Sequence, residues 1–327
     1  MGQQLGADLY LGPIYTWGTI GGRTDFYMWK PVFLDYSYNF AVRKFRHGSF
    51  GNITKIDNTR QVKNSESFFS VAAGMPLAHR GVFLIRANGG HVNYRYDSDE
   101  LFADDTDHSR YSFFGIKAEL ARNTLDKFLY PRRGSDLKLS GIFVTGRDKY
   151  EPFDAEKFLS RTSRQWVGAR LTWDKYFDMP GCSWFSLGLN VDGVITNHPE
   201  FTTEGATVMS MPAYEPVPHA QMIYMPDFRG KRFAAGGVMP TFDLMPNFFL
   251  RTGFYAMFRE KRSFVPGVSG PVEDKRWHYI AEASLVYHTP IGPVSLALTK
   301  YDLRNWKNMY LTFNFGYAIF APKGTFY

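Results

Sequence analysis

The sequence predicts an all-β protein, a transmembrane antiparallel up-and-down β-barrel, on three observations. Apolar and polar residues alternate at period two almost from end to end. No run of about 18 uninterrupted apolar residues occurs, so a membrane-spanning helix is excluded and the closed barrel is the remaining way to pair every backbone group in hydrocarbon. The links between alternating segments are short and long in turn, as on the two rims of an outer-membrane barrel.

Composition agrees. Aromatic residues make up 17% of the 327 positions, with 30 Phe, 20 Tyr and 7 Trp. Hydrophobic residues reach 44% while the mean hydropathy is −0.29, so apolar positions are diluted by regularly spaced polar ones. Soluble β-sandwiches also alternate, but they rarely combine this aromatic content with strands this long. The formal charge of +7 comes from Lys and Arg scattered over strands and loops, which favours solvated loops and lumen walls and no nucleic-acid partner. The single cysteine, Cys182, excludes an intramolecular disulfide and a cysteine-built metal site. Met1–Gly12 has neither the basic start nor the apolar stretch of a secretory signal. Export would need one, so either it was removed or the chain belongs to something longer.

Fourteen candidate strands are read, at about 4–14, 17–30, 32–45, 66–76, 81–95, 110–121, 134–148, 165–178, 183–196, 231–242, 247–259, 276–289, 293–303 and 309–320. In the sixth, Phe114, Ile116, Ala118 and Leu120 oppose Gly115, Lys117 and Glu119. In the seventh, Leu137, Leu139 and Phe143 oppose Asp136, Lys138 and Ser140. The eighth sets Val167, Ala169, Leu171 and Trp173 against Gly168, Arg170, Thr172 and Asp174. The ninth sets Phe185, Leu187, Leu189, Val191 and Ile195 against Ser186, Gly188, Asn190, Asp192 and Thr196. In the twelfth, Tyr279, Ala281, Ala283, Leu285 and Tyr287 oppose His278, Glu282, Ser284 and His288. The last places Leu311, Phe313, Phe315, Tyr317 and Ile319 opposite Thr312, Asn314, Gly316 and Ala318. The expectation is an apolar face in lipid and a polar face lining a wet lumen. Aromatics near strand ends (Trp29, Tyr176, Phe177, Trp277, Tyr287) are expected to form the interfacial girdle. One barrel domain, 1–327, is expected, with no internal linker.

Three stretches, Asn123–Gly134, Phe228–Gly230 and the last strand at 309–320, resemble the Omp85 superfamily of bacterial surface-antigen barrels. Asn123–Gly134 reads N-x-L-D-x-x-x-x-P-x-x-G, with Asn123, Leu125, Asp126, Pro131 and Gly134 at the marked places. It is similar to a periplasmic turn of that family, and Pro131 and Gly134 suit a turn in any case. Phe228-Arg229-Gly230, at the end of the longest loop, resembles the family's V-R-G-F/Y motif. The resemblance implies that this loop folds back into the lumen and that Arg229 contacts the inner wall. The family's acidic partner has no counterpart in Arg251–Met257, which leaves Asp174, Asp192 or Glu282 as possible partners from other walls. The final strand, with Asn314, Gly316, Tyr317 and Phe320, is similar to an outer-membrane β-signal, although Ala321–Tyr327 continues beyond the terminal aromatic.

More narrowly, Asp25-Phe26, Pro31–Tyr36, Leu285–Pro293 and Phe313–Tyr317 resemble the barrel half of patatin-like phospholipases from Bacteroidota-type bacteria. That resemblance implies a 16-stranded barrel preceded by a lipid-hydrolase domain and a small periplasmic domain. The chain would then lack the upstream domains and the first two strands; a 16-strand reading with two strands missed stays open.

No enzyme is read on the chain itself. The nearest string to a Gly-x-Ser-x-Gly elbow, Gly267-Val268-Ser269-Gly270, has the wrong spacing and no strand-to-helix context. His278, Glu282 and His288 share a strand face but lie about 13–20 Å apart along it, too far for a relay. The eight histidines are too dispersed for a metal site, and no phosphate-cradling glycine loop occurs, so no cofactor is expected. The expected function is a membrane anchor or translocation barrel in the bacterial outer membrane. Its partners would be the lipid bilayer, lipopolysaccharide and, during biogenesis, the assembly machinery. An insertase for other barrels and a passive porin are the alternatives.

Overall fold

The structure is a computed structural model, and it describes residues 2–11, 15–27, 30–46, 61–97, 106–151, 160–179, 181–202, 204–217, 220, 225–260, 276–301, 309–316 and 323–325. Fourteen antiparallel strands form one sheet in strict sequence order. They are β1 (Gly2–Tyr10), β2 (Tyr15–Tyr27), β3 (Pro31–Arg46), β4 (Gln61–Leu77), β5 (Gly81–Asp97), β6 (Thr106–Asn123) and β7 (Gly134–Glu151). The second half comprises β8 (Ser160–Met179), β9 (Cys182–Thr196), β10 (Arg232–Met245), β11 (Phe248–Arg259), β12 (Trp277–Thr289), β13 (Gly292–Tyr301) and β14 (Met309–Phe315). The fold class and strand count are those the alternation predicts.

Strand limits differ where alternation is a poor guide. β4, β6 and β8 start four or five residues before the sequence pattern places them, because ladder hydrogen bonds continue through polar segments such as Gln61–Ser65 that carry no lipid-facing signal. At 20 residues, β8 reaches roughly 50 Å along a barrel axis at ordinary rise and tilt, about twice the height of an apolar band. β1 and β2 sit two to four residues earlier than expected. Trp29, Tyr317 and Phe320 lie outside the described residues.

The burial pattern is that of a protein turned inside out. Leu139, Leu171, Val191, Ile195, Leu285 and Leu298 are exposed, whereas Ser186, Asp192, Glu282, Ser284 and Thr299 are buried. Exposed large hydrophobics cover one face of nearly every strand, far beyond the patches water tolerates, so hydrocarbon is the solvent of that face. Trp277 and Tyr287 lie on it as the girdle predicts. Tyr176 does not. It shares the parity of Asp174 and points inward, where it is buried against Met239, because nearness to a strand end says nothing about face.

The lumen also departs from the wet channel expected. Phe68, Tyr94, Tyr111, Phe113, Val144, Trp166, Val194 and Phe233 are inward-facing, buried and part of one apolar cluster. They lie in the half nearer the long loops, where the β9–β10 loop fills the interior. Lys117, Glu119, Asp136 and Lys138 line the half nearer the short turns, while Arg43, Glu66, Asp148 and Asp192 are buried charges in the half nearer the long loops.

The sheet curls far enough for its halves to touch. Tyr130, between β6 and β7, packs on Phe249 of β11 and Val286 of β12. Among the described residues no ladder joins β14 to β1, and Gln3–Tyr10 are exposed on both faces of β1.

Candidate functional site

The site is the inward fold of the β9–β10 loop. A short helix, α1 (Glu204–Ser210), lies within it. The Thr207 side chain accepts from the Phe201 amide at 2.9 Å, and Ser210 Oγ donates to the Thr207 carbonyl at 2.9 Å. The outgoing and returning arms then pair: Tyr214 N donates to Phe228 O at 2.9 Å and Gly230 N to Pro212 O at 3.1 Å. The loop therefore satisfies much of its backbone internally, which is what permits irregular chain at membrane depth.

Wall residues pin this loop from several sides. Asp148 of β7 accepts from both the amide and the hydroxyl of Thr202 at 2.9 Å. Arg170 of β8 donates to the Ala213 carbonyl at 3.1 Å while its fork holds Asp192 at 3.1 and 2.6 Å. Tyr214 donates to Asn190 at 2.7 Å, and Asn190 donates in turn to Asp174 at 2.8 Å. Phe228 is buried against His278 and Tyr301, with ring centroids 5.6 and 6.0 Å away. His198 packs tilted against Trp166, with ring centroids 4.6 Å apart, and burial pushes its imidazole down to about 3, so it is neutral there.

Arg229 lies inside this packing, 7% exposed. Its Nη1 donates to the carbonyls of Met209 at 2.9 Å and Met211 at 3.2 Å, and Nη2 lies 3.9 Å from Glu215. Of the candidate partners, Asp192 is taken by Arg170, Asp174 by Asn190, and Glu282 by the Ser284 hydroxyl at 2.6 Å. None of the three is brought onto Arg229. Each has a donor on its own or a neighbouring strand, whereas the loop wraps its own carbonyls around the guanidinium. The carboxylate beside Arg229 is Glu215, a loop residue the sequence reading missed; it is one of four acids in the longest loop, with Glu200, Glu204 and Asp227, and nothing local singles it out. Burial would raise the Glu215 carboxyl, but Lys323 and Arg229 outweigh it and hold the group below the ordinary carboxylate range. Gly230 is not required by space, since a Cβ there would meet Arg259 only at 3.5 Å.

The Asn123–Gly134 turn reaches across the opposite rim to β10, β11, β12 and β13. Asn123 Oδ1 accepts from the Leu125 amide at 2.9 Å, and Asp126 Oδ1 accepts from the amides of Arg132 at 3.0 Å and Arg133 at 3.2 Å. The Asn123 bond is the Asx turn that short acceptors favour, and the Asp126 bonds close the loop on itself. Gly134 has φ +100°, and a Cβ would fall 2.2 Å from Thr124 O. Pro131 and Tyr130 are buried, Arg132 pairs with Asp243 of β10 at 2.6 Å, and Arg133 pairs with Asp178 of β8. In β14, Asn314 Nδ2 donates to Ser295 at 3.4 Å. Gly316 has φ +79° and its amide donates to Pro293 O at 2.9 Å.

Fold and site together define a transmembrane β-barrel whose lumen holds one of its own loops and whose short-turn rim is bridged by a second. No family model matches the chain, and no curated protein matches it. Among solved structures, the barrel-containing BamA from Haemophilus ducreyi lacking POTRA domains 1–3 superposes with a TM-score of 0.64 at 12% identity, over 95% of this chain and 63% of that one. The chain thus spans less than two thirds of that protein, and at this identity the likeness is one of fold. CdiB from Acinetobacter baumannii matches with a TM-score of 0.33 at 9% identity, over 91% of this chain and 55% of that one. Pseudomonas aeruginosa OccK11 matches at 0.31 and 11% identity, over 94% and 90%. Neither score carries an argument.

Proposed function

We propose that the chain is an Omp85-type barrel of the bacterial outer membrane, acting as a membrane anchor or translocation barrel closed at rest. Its surroundings would be lipid and lipopolysaccharide, and the assembly machinery would insert it during biogenesis. The observation that carries this reading is Arg229, buried in the lumen by its own loop and bonded to Met209 and Met211. A passive porin needs a standing aqueous path; here buried loop residues such as Met209, Tyr214 and Phe228 share one apolar cluster with wall residues from β4 to β13. The test is conductance in planar bilayers. The full chain should be closed, and Arg229→Ala should open it intermittently. A full chain that conducts steadily would sink the proposal.

The narrower reading, the barrel of a patatin-like phospholipase, is supported by the resemblance of Pro31–Tyr36 and Leu285–Pro293 to that group. Its test is the coding region upstream, which should contain a Gly-x-Ser-x-Gly elbow ahead of a small periplasmic domain. An insertase is favoured instead by the edges of β1 and β14, which carry no mutual ladder among the described residues. Accelerated insertion of an unrelated barrel into vesicles would decide for it.

A further inference from the structure

Beyond β14 the chain returns to the lumen on a different wall. Gly316 is tied to Pro293 at the start of β13. Gly324 is tied to β4 and β5: its amide donates to Glu66 Oε2 at 3.0 Å, and its carbonyl accepts from Asn88 Nδ2 at 2.9 Å. Both wall groups are buried, as are Gly324 and Thr325. A Cβ at 324 would lie 2.7 Å from the Phe113 ring and 2.9 Å from that of Phe68, and both rings belong to the apolar cluster around the inward loop. The segment is seated in a fitted slot.

Lys323 connects this slot to the loop. Its Nζ donates to both oxygens of Glu215, at 3.3 and 3.1 Å, and Glu215 is the carboxylate beside Arg229. Arg43 and Glu66, 3.2 Å apart, complete a buried group of three cations and two carboxylates on β3, β4, the loop and the segment. Removing Lys323 takes away the one cation hydrogen-bonded to Glu215, leaving Arg229 at 3.9 Å and the more distant Arg43, and removing the segment also leaves Glu66 and Asn88 without their backbone partners. A buried charge or amide stripped of its partner is costly, so each such loss favours loop positions that let water in.

We infer that the segment around Lys323–Thr325 is a lumenal latch that holds the β9–β10 loop in its inward position and must leave its slot before the barrel opens. This rests on the closed-barrel reading above.

The test uses the full chain in planar bilayers beside a deletion of residues 321–327, with folding of each checked by heat-modifiable gel migration. Lys323→Gln is the milder variant, keeping the slot filled while shortening the side chain and withdrawing the donor that reaches both Glu215 oxygens. The deletion should raise open probability at least tenfold and Lys323→Gln severalfold. The heptapeptide Ala-Pro-Lys-Gly-Thr-Phe-Tyr should close the deletion variant again, and the same peptide carrying Gly324→Leu should not. A closed parent with an equally closed, folded deletion variant overturns the latch alone, and so does equal closure by both peptides. If the deletion variant fails to fold, an unaltered Lys323→Gln overturns it. A parent that already conducts steadily overturns the closed-barrel reading and the latch with it.

Discussion

The Tyr130 hydroxyl donates to Ser295 Oγ at 2.9 Å across 165 residues of chain. A turn between β6 and β7 is thereby fastened to β13, on the far side of the curled sheet. Tyr130 holds a left-handed backbone, φ 53°, to make that reach.

Two substitutions separate the bond from the packing. Tyr130→Phe should cost about 1 kcal/mol, the ordinary net value of one hydrogen bond. Tyr130→Ala should cost about 3–5 kcal/mol, because it also empties the space against Phe249 and Val286. Urea unfolding in lipid vesicles measures both, and equal losses would contradict the role given to Phe249 and Val286.

Neighbouring positions on β8 should respond oppositely to charge. Leu171 faces outward and Thr172 inward. Leu171→Arg should cost about 2–4 kcal/mol near mid-bilayer, and Thr172→Arg, which does not meet lipid, should cost less. Equal tolerance at the two sites would refute the lipid and lumen assignment.

Gly134→Ala should lower stability by about 1–3 kcal/mol from backbone strain alone. The contact of its Cβ with Thr124 O adds to that. The unfolding midpoint is the readout, and an unchanged midpoint would mean the turn relaxes freely.

Seating of the Lys323 segment should weaken with acid and strengthen with alkali. Burial pushes the Lys323 ammonium down to about 8 from 10.5; Glu215 opposes this, and Arg43 and Arg229 add to it. Between those values the unseated state binds more protons, so seating gains as pH rises from 8 toward 10.5. Glu215, held below 4.5 when seated, contributes above that value and loses its contribution as pH falls below it. Glu66 is the remaining carboxylate at the slot. Proteolysis of residues 321–327 should therefore be fastest near about pH 4 and slowest near about pH 10. The reverse order would show that other groups govern seating.

Much of this architecture can be read from residue order. Leu137, Leu139 and Phe143 against Asp136 and Ser140 suffice to place β7 and its faces, because strand parity is a local property. The inward loop is another matter. Its position depends on Asp148 meeting Thr202 and on Asn190 meeting Tyr214, contacts between residues far apart in the chain. Only the resemblance around Phe228–Gly230 pointed to it, and that resemblance drew attention to the walls and away from Glu215. The slot for Gly324 left no local trace, since its fit is set by Phe68 and Phe113 on β4 and β6. Tyr176 shows the converse: its parity with Asp174 was legible, and proximity to a strand end was the weaker guide.

A loop held in the lumen also bears on synthesis and insertion. The β9–β10 loop touches walls from strands made well before it and well after it, so the seal is complete only when early strands, loop and late strands have all come together. The loop then acts as a mandrel against which both halves of the sheet are held. Such long-range contacts make folding slow, and trimming the loop should yield a faster-inserting barrel at the expense of its seal.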